Sequence, residues 1–156
     1  MARTVAIGIQ QFNEIREKNY FYVDKTAFIR EWWERGDSVT LITRPRRFGK
    51  TLTMSMVEQF FSVKYAGQHN LFEGLAIWET KVYREIQGTY PVISLSFANL
   101  KEPSYELTRQ KVCDQLQQLY TEHAYILESG ILKGADKSFF ERMLHNEKVE
   151  YVDATL

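Results

Sequence analysis

Three consecutive residues, Gly49-Lys50-Thr51, carry the clearest chemistry in this chain, and that chemistry is the holding of a phosphate group. A glycine lets backbone N–H groups approach phosphate oxygens with no Cβ in the way. A lysine supplies a mobile ammonium that reaches the outer phosphates of a nucleotide. A threonine hydroxyl can ligate Mg²⁺. The run before them is basic, Arg44-Pro45-Arg46-Arg47-Phe48, and Leu52 falls in the first turn of the segment that follows. The candidate nucleotide-binding set is therefore Arg46, Arg47, Phe48, Gly49, Lys50, Thr51 and Leu52, with ATP and Mg²⁺ as the expected ligands and Thr51 as the metal's hydroxyl. The usual pattern is G-x-x-x-x-G-K-[ST]. Here Arg44 holds the place of the first glycine, so a plain basic surface turn is the competing reading.

Such a loop usually lies between a strand and a helix, and the flanking residues read as that layout. Val39-Thr40-Leu41-Ile42-Thr43 reads as the strand. After Gly49 a helix is expected to roughly Lys64, with Met56, Val57, Phe60 and Phe61 as its buried stripe and Met54 as further core. Tyr90 to Phe97 reads as a second strand, so strand, helix and strand would form a right-handed βαβ unit in a parallel sheet. Upstream, Tyr20-Phe21-Tyr22-Val23 is a short strand candidate. A helix from Lys25 to Arg35 places Phe28, Ile29, Trp32 and Trp33 on one face and stops at Gly36. Asp24, just before it, reads as a cap for free N–H groups in preference to a Mg²⁺ ligand.

Downstream, residues 71 to 78 pack on the core with weak helical character. His69 has no Cys or His at ligand spacing. Ser104 caps a long helix reaching about Glu128. Tyr105, Val112, Leu116, Leu119, Tyr120, His123 and Leu127 share one of its faces. Cys113 reads as a structural thiol and His123 as a packed histidine. Asp136 caps a last helix, Lys137 to about Asn146, which buries Phe139, Phe140, Met143 and Leu144.

Several stretches together resemble a known family. Gly8-Ile9-Gln10, Phe12-Asn13-Glu14-Ile15-Arg16 and Asn19-Tyr20-Phe21-Tyr22-Val23-Asp24-Lys25-Thr26 precede the run from Thr40 to Thr51. The series is similar to the AAA-ATPase-like family of bacterial and archaeal proteins, over nearly the whole chain. That family commonly carries the Arg-Pro-Arg-Arg-Phe-Gly-Lys run in place of the first glycine. The resemblance implies an α/β fold, a partial P-loop NTPase with a parallel βαβ core and flanking helices. It implies that residues 1–156 are the amino-terminal part of such a domain, with the carboxy-terminal strands of the sheet missing. It also implies a restriction-endonuclease-like nuclease domain further along in the longer proteins.

Hydrolysis by a P-loop ATPase needs an apolar strand ending in an acid that positions Mg²⁺. Val92 to Phe97 ends in Ala98-Asn99. Val149-Glu150-Tyr151-Val152-Asp153 ends in an acid but is short and interrupted. A truncated module that binds ATP without turning it over is the expectation, unless another chain supplies the acid. Without the intervening strands, Val39–Thr43 and Val92–Phe97 would have to pair directly, recruit Tyr20–Val23, or borrow strands from a partner chain.

Composition bounds the rest. Lysine plus arginine number 20 and aspartate plus glutamate 20, so the net charge of zero argues against a general nucleic-acid or membrane-surface binder. The alternative function is a non-enzymatic module whose Arg44, Arg46 and Arg47 grip the phosphates of nucleic acid or an acidic partner. The single cysteine excludes an internal disulfide and fits a reducing, cytoplasmic setting. No run reaches membrane-spanning length.

Overall fold

The computed structural model describes residues 4, 5 and 7–145, and these are helical, with no β-sheet among them. The expected α/β fold with a parallel βαβ core is therefore corrected. The one β-type pairing among the described residues is an isolated parallel bridge between Ser62 and Tyr90. The physical reason lies in what a strand needs. Alternating, β-branched composition marks a segment that suits a pleated surface, but a ladder forms only when a second segment matches its edge. Val39–Thr43 and Val92–Phe97 pair neither with each other nor with Tyr20–Val23. Several of their apolar side chains stand in solvent, with Val39 84% and Ile93 70% exposed, while Val92 packs against the core. The suggested acidic strand ending at Asp153 lies outside the described residues.

The chain divides into two compact units between Val92 and Ile93. The first holds α1 (Phe12–Glu17), α2 (Ala27–Arg35), α3 (Lys50–Phe61) and α4 (Lys81–Ile86), with 3₁₀ turns at Val63–Tyr65, His69–Leu71 and Ala76–Glu79. Its core gathers Phe12, Ile29, Met56, Phe60, Phe61, Leu71, Phe72 and Leu75. Phe72 stacks on Phe12 and takes the Phe60 ring edge-on. Met56, Phe60 and Phe61 thus form the stripe that the spacing on α3 implies. Met54 departs from it and is exposed, so it is not core. Trp32 and Trp33 of α2 pack their rings against Phe61 at the margin of this core.

Polar contacts fix α3 where the loop needs it. Ser55 Oγ accepts the Phe12 N–H and donates to Gln11 Oε1, both at 3.1 Å. Gln59 Nε2 donates to Asn13 Oδ1 and Ser55 Oγ. One face of α3 is thereby stitched to α1. The other end of α3 is held by its own last carbonyls. Phe60 O accepts the Gly88 N–H and Phe61 O the Tyr90 N–H, which satisfies groups a helix C-terminus leaves open. Gly88 has to be glycine. Its φ is +70°, and a Cβ there would stand 2.6 Å from Ala66 Cα.

The second unit holds α5 (Tyr105–Glu122), α6 (Tyr125–Glu128) and α7 (Gly134–Leu144). Ser104 Oγ accepts the Leu107 N–H and caps α5 as its sequence position implies. The helix expected to reach Glu128 breaks after Glu122 and resumes as α6. Phe140 and Met143 of α7 are buried, and Tyr120 of α5 meets the Phe140 ring edge-on at 4.8 Å. Tyr105 is exposed, so the apolar face of α5 is covered only in part. No helix among the described residues is long and apolar enough to cross a membrane.

Candidate phosphate-binding site

The loop from Arg44 to Gly49 leads directly into α3, whose first residue is Lys50. Gly49 is the N-cap and adopts the left-handed conformation, φ 77° and ψ 24°. A glycine enters that region freely, whereas a residue with a Cβ is strained there by roughly 1–2 kcal/mol. Gly49 O accepts the Thr53 N–H at 2.8 Å, the first bond of the helix. Gly49 has no side chain to cap the turn, so the N–H groups of Lys50, Thr51 and Leu52 have no partner among the described residues. They bring the partial positive charge of a helix N-terminus to the loop.

Arg47 is also left-handed, at φ 69°. That is an uncommon state for a non-glycine residue and costs of order 1–3 kcal/mol. Strain of this kind persists where the surrounding structure fixes the backbone. Across the loop, Lys50 Nζ donates to Arg44 O at 2.5 Å. An ammonium has three donors, so this contact closes the loop and leaves two for a ligand.

The candidate residues divide by exposure. Arg46, Arg47, Phe48 and Thr51 are exposed, and Gly49 and Lys50 are half-buried. Leu52 turns its side chain onto the core, so only its N–H belongs to the site. Thr51 Oγ1 has no hydrogen-bond partner among the described residues. Arg44, Arg46, Arg47 and Lys50 have no carboxylate partner among them either. The loop therefore keeps its positive charge uncompensated.

One residue at the site was not found from the sequence. Lys25 lies 24 positions before Gly49, yet a Cβ built on Gly49 would stand 3.6 Å from Lys25 Nζ. Spacing could not bring the two together, because the approach depends on how the turn before α2 packs against α3. That turn is tightly held. Asp24 Oδ1 accepts from Thr26 N–H at 2.8 Å and Thr26 Oγ1 at 2.7 Å, and Oδ2 accepts from Ala76 N–H at 2.8 Å. Thr26 is fully buried, and its Oγ1 accepts the Ile77 N–H. The Lys25 N–H donates to Tyr22 Oη, which in turn donates to Met56 Sδ of α3.

The electrostatics follow from these contacts. Burial works against the charged form of Asp24, but the N–H groups of Ala76 and Thr26, the Thr26 hydroxyl and the nearby Arg16 charge outweigh it. The carboxyl sits below its ordinary value. Burial pushes the Tyr22 phenol up to about 12, so it stays protonated and can donate to sulfur. Asp24 thus holds the turn before α2 and ties it to Ala76; the N-cap of α2 is Thr26, and no side chain caps the helix N–H groups, so the capping role expected of Asp24 is corrected. His69 packs its ring against Trp78.

A glycine-capped helix, a lysine beside the cap and a free hydroxyl one residue on are the helix side of a phosphate-binding loop, while the expected strand before it, Val39–Thr43, does not form. The model of the AAA-ATPase-like family, described as a predicted AAA-ATPase, matches residues 6–155. The chain belongs to that family. It is 38% identical over 96 residues to a protein of Azotobacter chroococcum mcd 1 described as an uncharacterized protein in the vnfD 5′ region. The match takes in 61% of this chain and 17% of that protein, so the chain spans a small part of the relative's length. No solved structure matches.

Proposed function

We propose that the loop from Arg46 to Leu52 binds the phosphates of ATP, and that this chain is the nucleotide-binding part of an AAA-ATPase-like protein. One observation carries the reading. Gly49 is left-handed at the N-cap of α3, so three unpartnered N–H groups and the Lys50 ammonium converge on the same loop. In this reading the N–H groups of Lys50, Thr51 and Leu52 donate to the phosphate oxygens, and Lys50 neutralises their charge. Thr51 Oγ1 would hold Mg²⁺ beside the phosphates, where the ion would offset their negative charge. The exposed, uncompensated Arg46 and Arg47 add long-range attraction for the anion. The free thiol of Cys113 fits a reducing compartment, and we place the protein in the cytoplasm.

Calorimetric titration with ATP, with and without Mg²⁺, tests this. Lys50→Ala removes a hydrogen bond to a charged group, worth roughly 1.5–3 kcal/mol, and should weaken binding about tenfold or more. Equal binding by the wild type and Lys50→Ala would show that the loop is not the site. A second reading has its own observation. Phe48 is 58% exposed among three exposed arginines, an arrangement suited to stacking on a base and gripping a phosphate backbone. Tight binding of single-stranded oligonucleotide together with none of ATP would favour it.

A further inference from the structure

We propose that Lys25 is a second cationic ligand of the phosphate chain held at Gly49, reaching it from a part of the sequence remote from the loop. The proposal rests on the phosphate-binding reading above and extends it to a residue outside the motif. Three observations carry it. First, the Lys25 ammonium stands beside Gly49, within van der Waals distance of the position a Cβ would take. Second, the backbone that presents it is fixed from both sides. The Asp24–Thr26 turn is bonded to Ala76 and Ile77, and the Lys25 N–H is linked through Tyr22 to Met56 on α3 itself. Residue 25 therefore keeps its place relative to the helix that carries Lys50. Third, the counter-ion next to it is already used. The Asp24 carboxylate accepts from Thr26 and Ala76, and Lys25 has no ion pair among the described residues.

The chemistry that answers this arrangement is specific. Lys25 and Lys50 bring two ammonium groups to one loop with no carboxylate paired to either. Like charges gathered at one place repel, and a ligand carrying several negative charges relieves that repulsion. A polyphosphate does so, with charge on successive phosphates. The base of the nucleotide plays no part in this contact, so inorganic tripolyphosphate should sense Lys25 as ATP does.

The experiment titrates the full chain with ATP and with inorganic tripolyphosphate, in the wild type and in Lys25→Gln, Lys25→Arg, Lys50→Ala and Lys81→Gln. Lys25 is exposed, so Lys25→Gln is expected to melt with the wild type, which a thermal scan checks. Lys25→Gln should weaken both ligands by about tenfold, as loss of a charge-assisted contact does. Lys25→Arg should keep the affinity, because the charge remains. Lys81→Gln, which removes an equal charge from a surface pair with Glu85, should leave affinity unchanged. If Lys50→Ala loses binding while Lys25→Gln keeps it, the Lys25 assignment is overturned and the loop reading stands. A loss for ATP with none for tripolyphosphate would also overturn it, by moving the contact to the base or ribose. If the wild type binds neither ligand, both readings fall.

Discussion

Thr26→Val removes one hydroxyl from the centre of the turn that presents Lys25, and its cost can be worked from the structure. Thr26 is fully buried, and valine has nearly its shape. The hydroxyl does two things. It accepts the buried Ile77 N–H at 3.1 Å and donates to Asp24 Oδ1 at 2.7 Å. Valine leaves the Ile77 N–H with no acceptor, which costs roughly 1–3 kcal/mol. The bond to Asp24 adds less, about 0.5–1 kcal/mol, because that carboxylate is exposed and keeps its two N–H donors. Burying a methyl in place of the hydroxyl returns about 0.8 kcal/mol. The net loss is about 1–3 kcal/mol, which for a unit of this size lowers Tm by roughly 5–20 °C.

Thermal unfolding followed by far-ultraviolet circular dichroism measures this, with Thr26→Ser as the comparison that keeps the hydroxyl. The pH dependence gives an independent reading of the same contacts. The folded pKa of Asp24 lies below its ordinary 3.8. Its contribution to stability is therefore complete above that value and is lost as pH falls through the folded one. The wild-type Tm should drop as pH falls below about 4, and the drop should be shallower in Thr26→Val, which has lost one of the donors that depress the pKa. A Thr26→Val protein as stable as the wild type, with the same pH profile, would refute the claim that this hydroxyl holds the turn.

Other expectations follow from the same structure. Phe60→Ala empties a fully buried site between Phe61 and Phe72 and should cost about 3–5 kcal/mol in a denaturant titration; a loss below about 1 kcal/mol would mean the ring is not core. Gly49→Ala forces a Cβ into a left-handed N-cap. It should destabilise by about 1–2 kcal/mol and weaken ATP binding in calorimetry, and unchanged binding would separate the cap geometry from the site. The exposed apolar residues Val39, Leu41, Ile93 and Phe97 should drive concentration-dependent association, because apolar surface left in water is a contact surface. Sedimentation velocity should show the associated species diminish in a Val39→Ser/Leu41→Ser variant, and a monomer at all concentrations would refute this.

The legible parts of the fold were those that local chemistry decides. Gly36 ends α2 in the left-handed conformation, Ser104 caps α5, and the Met56, Phe60 and Phe61 stripe is core. Each of these depends on one residue's backbone preference or on a period along one helix. The strands were misread because strand pairing is not a local property. Val39–Thr43 has the composition of a strand, but composition cannot supply the neighbour that a ladder requires. Met54 and Tyr105 failed for a related reason. Helical spacing says which residues share a face, not whether another element covers it, and both are exposed.

The helix start at the loop was legible because its residues are consecutive: Gly49 is the N-cap and α3 begins at Lys50, as their order implies. Asp24 marks the boundary of that kind of inference. Its sequence position allows either a cap or a metal ligand, since a carboxylate serves both. The packing of Ala76 and Ile77 against the turn decides the matter by turning both oxygens of Asp24 toward hydrogen-bond donors. The same packing leaves the adjacent Lys25 ammonium without an ion pair among the described residues and sets it beside Gly49. A residue that reads as part of a helix start is thus brought to the proposed site through hydrogen bonds made by its neighbours on either side.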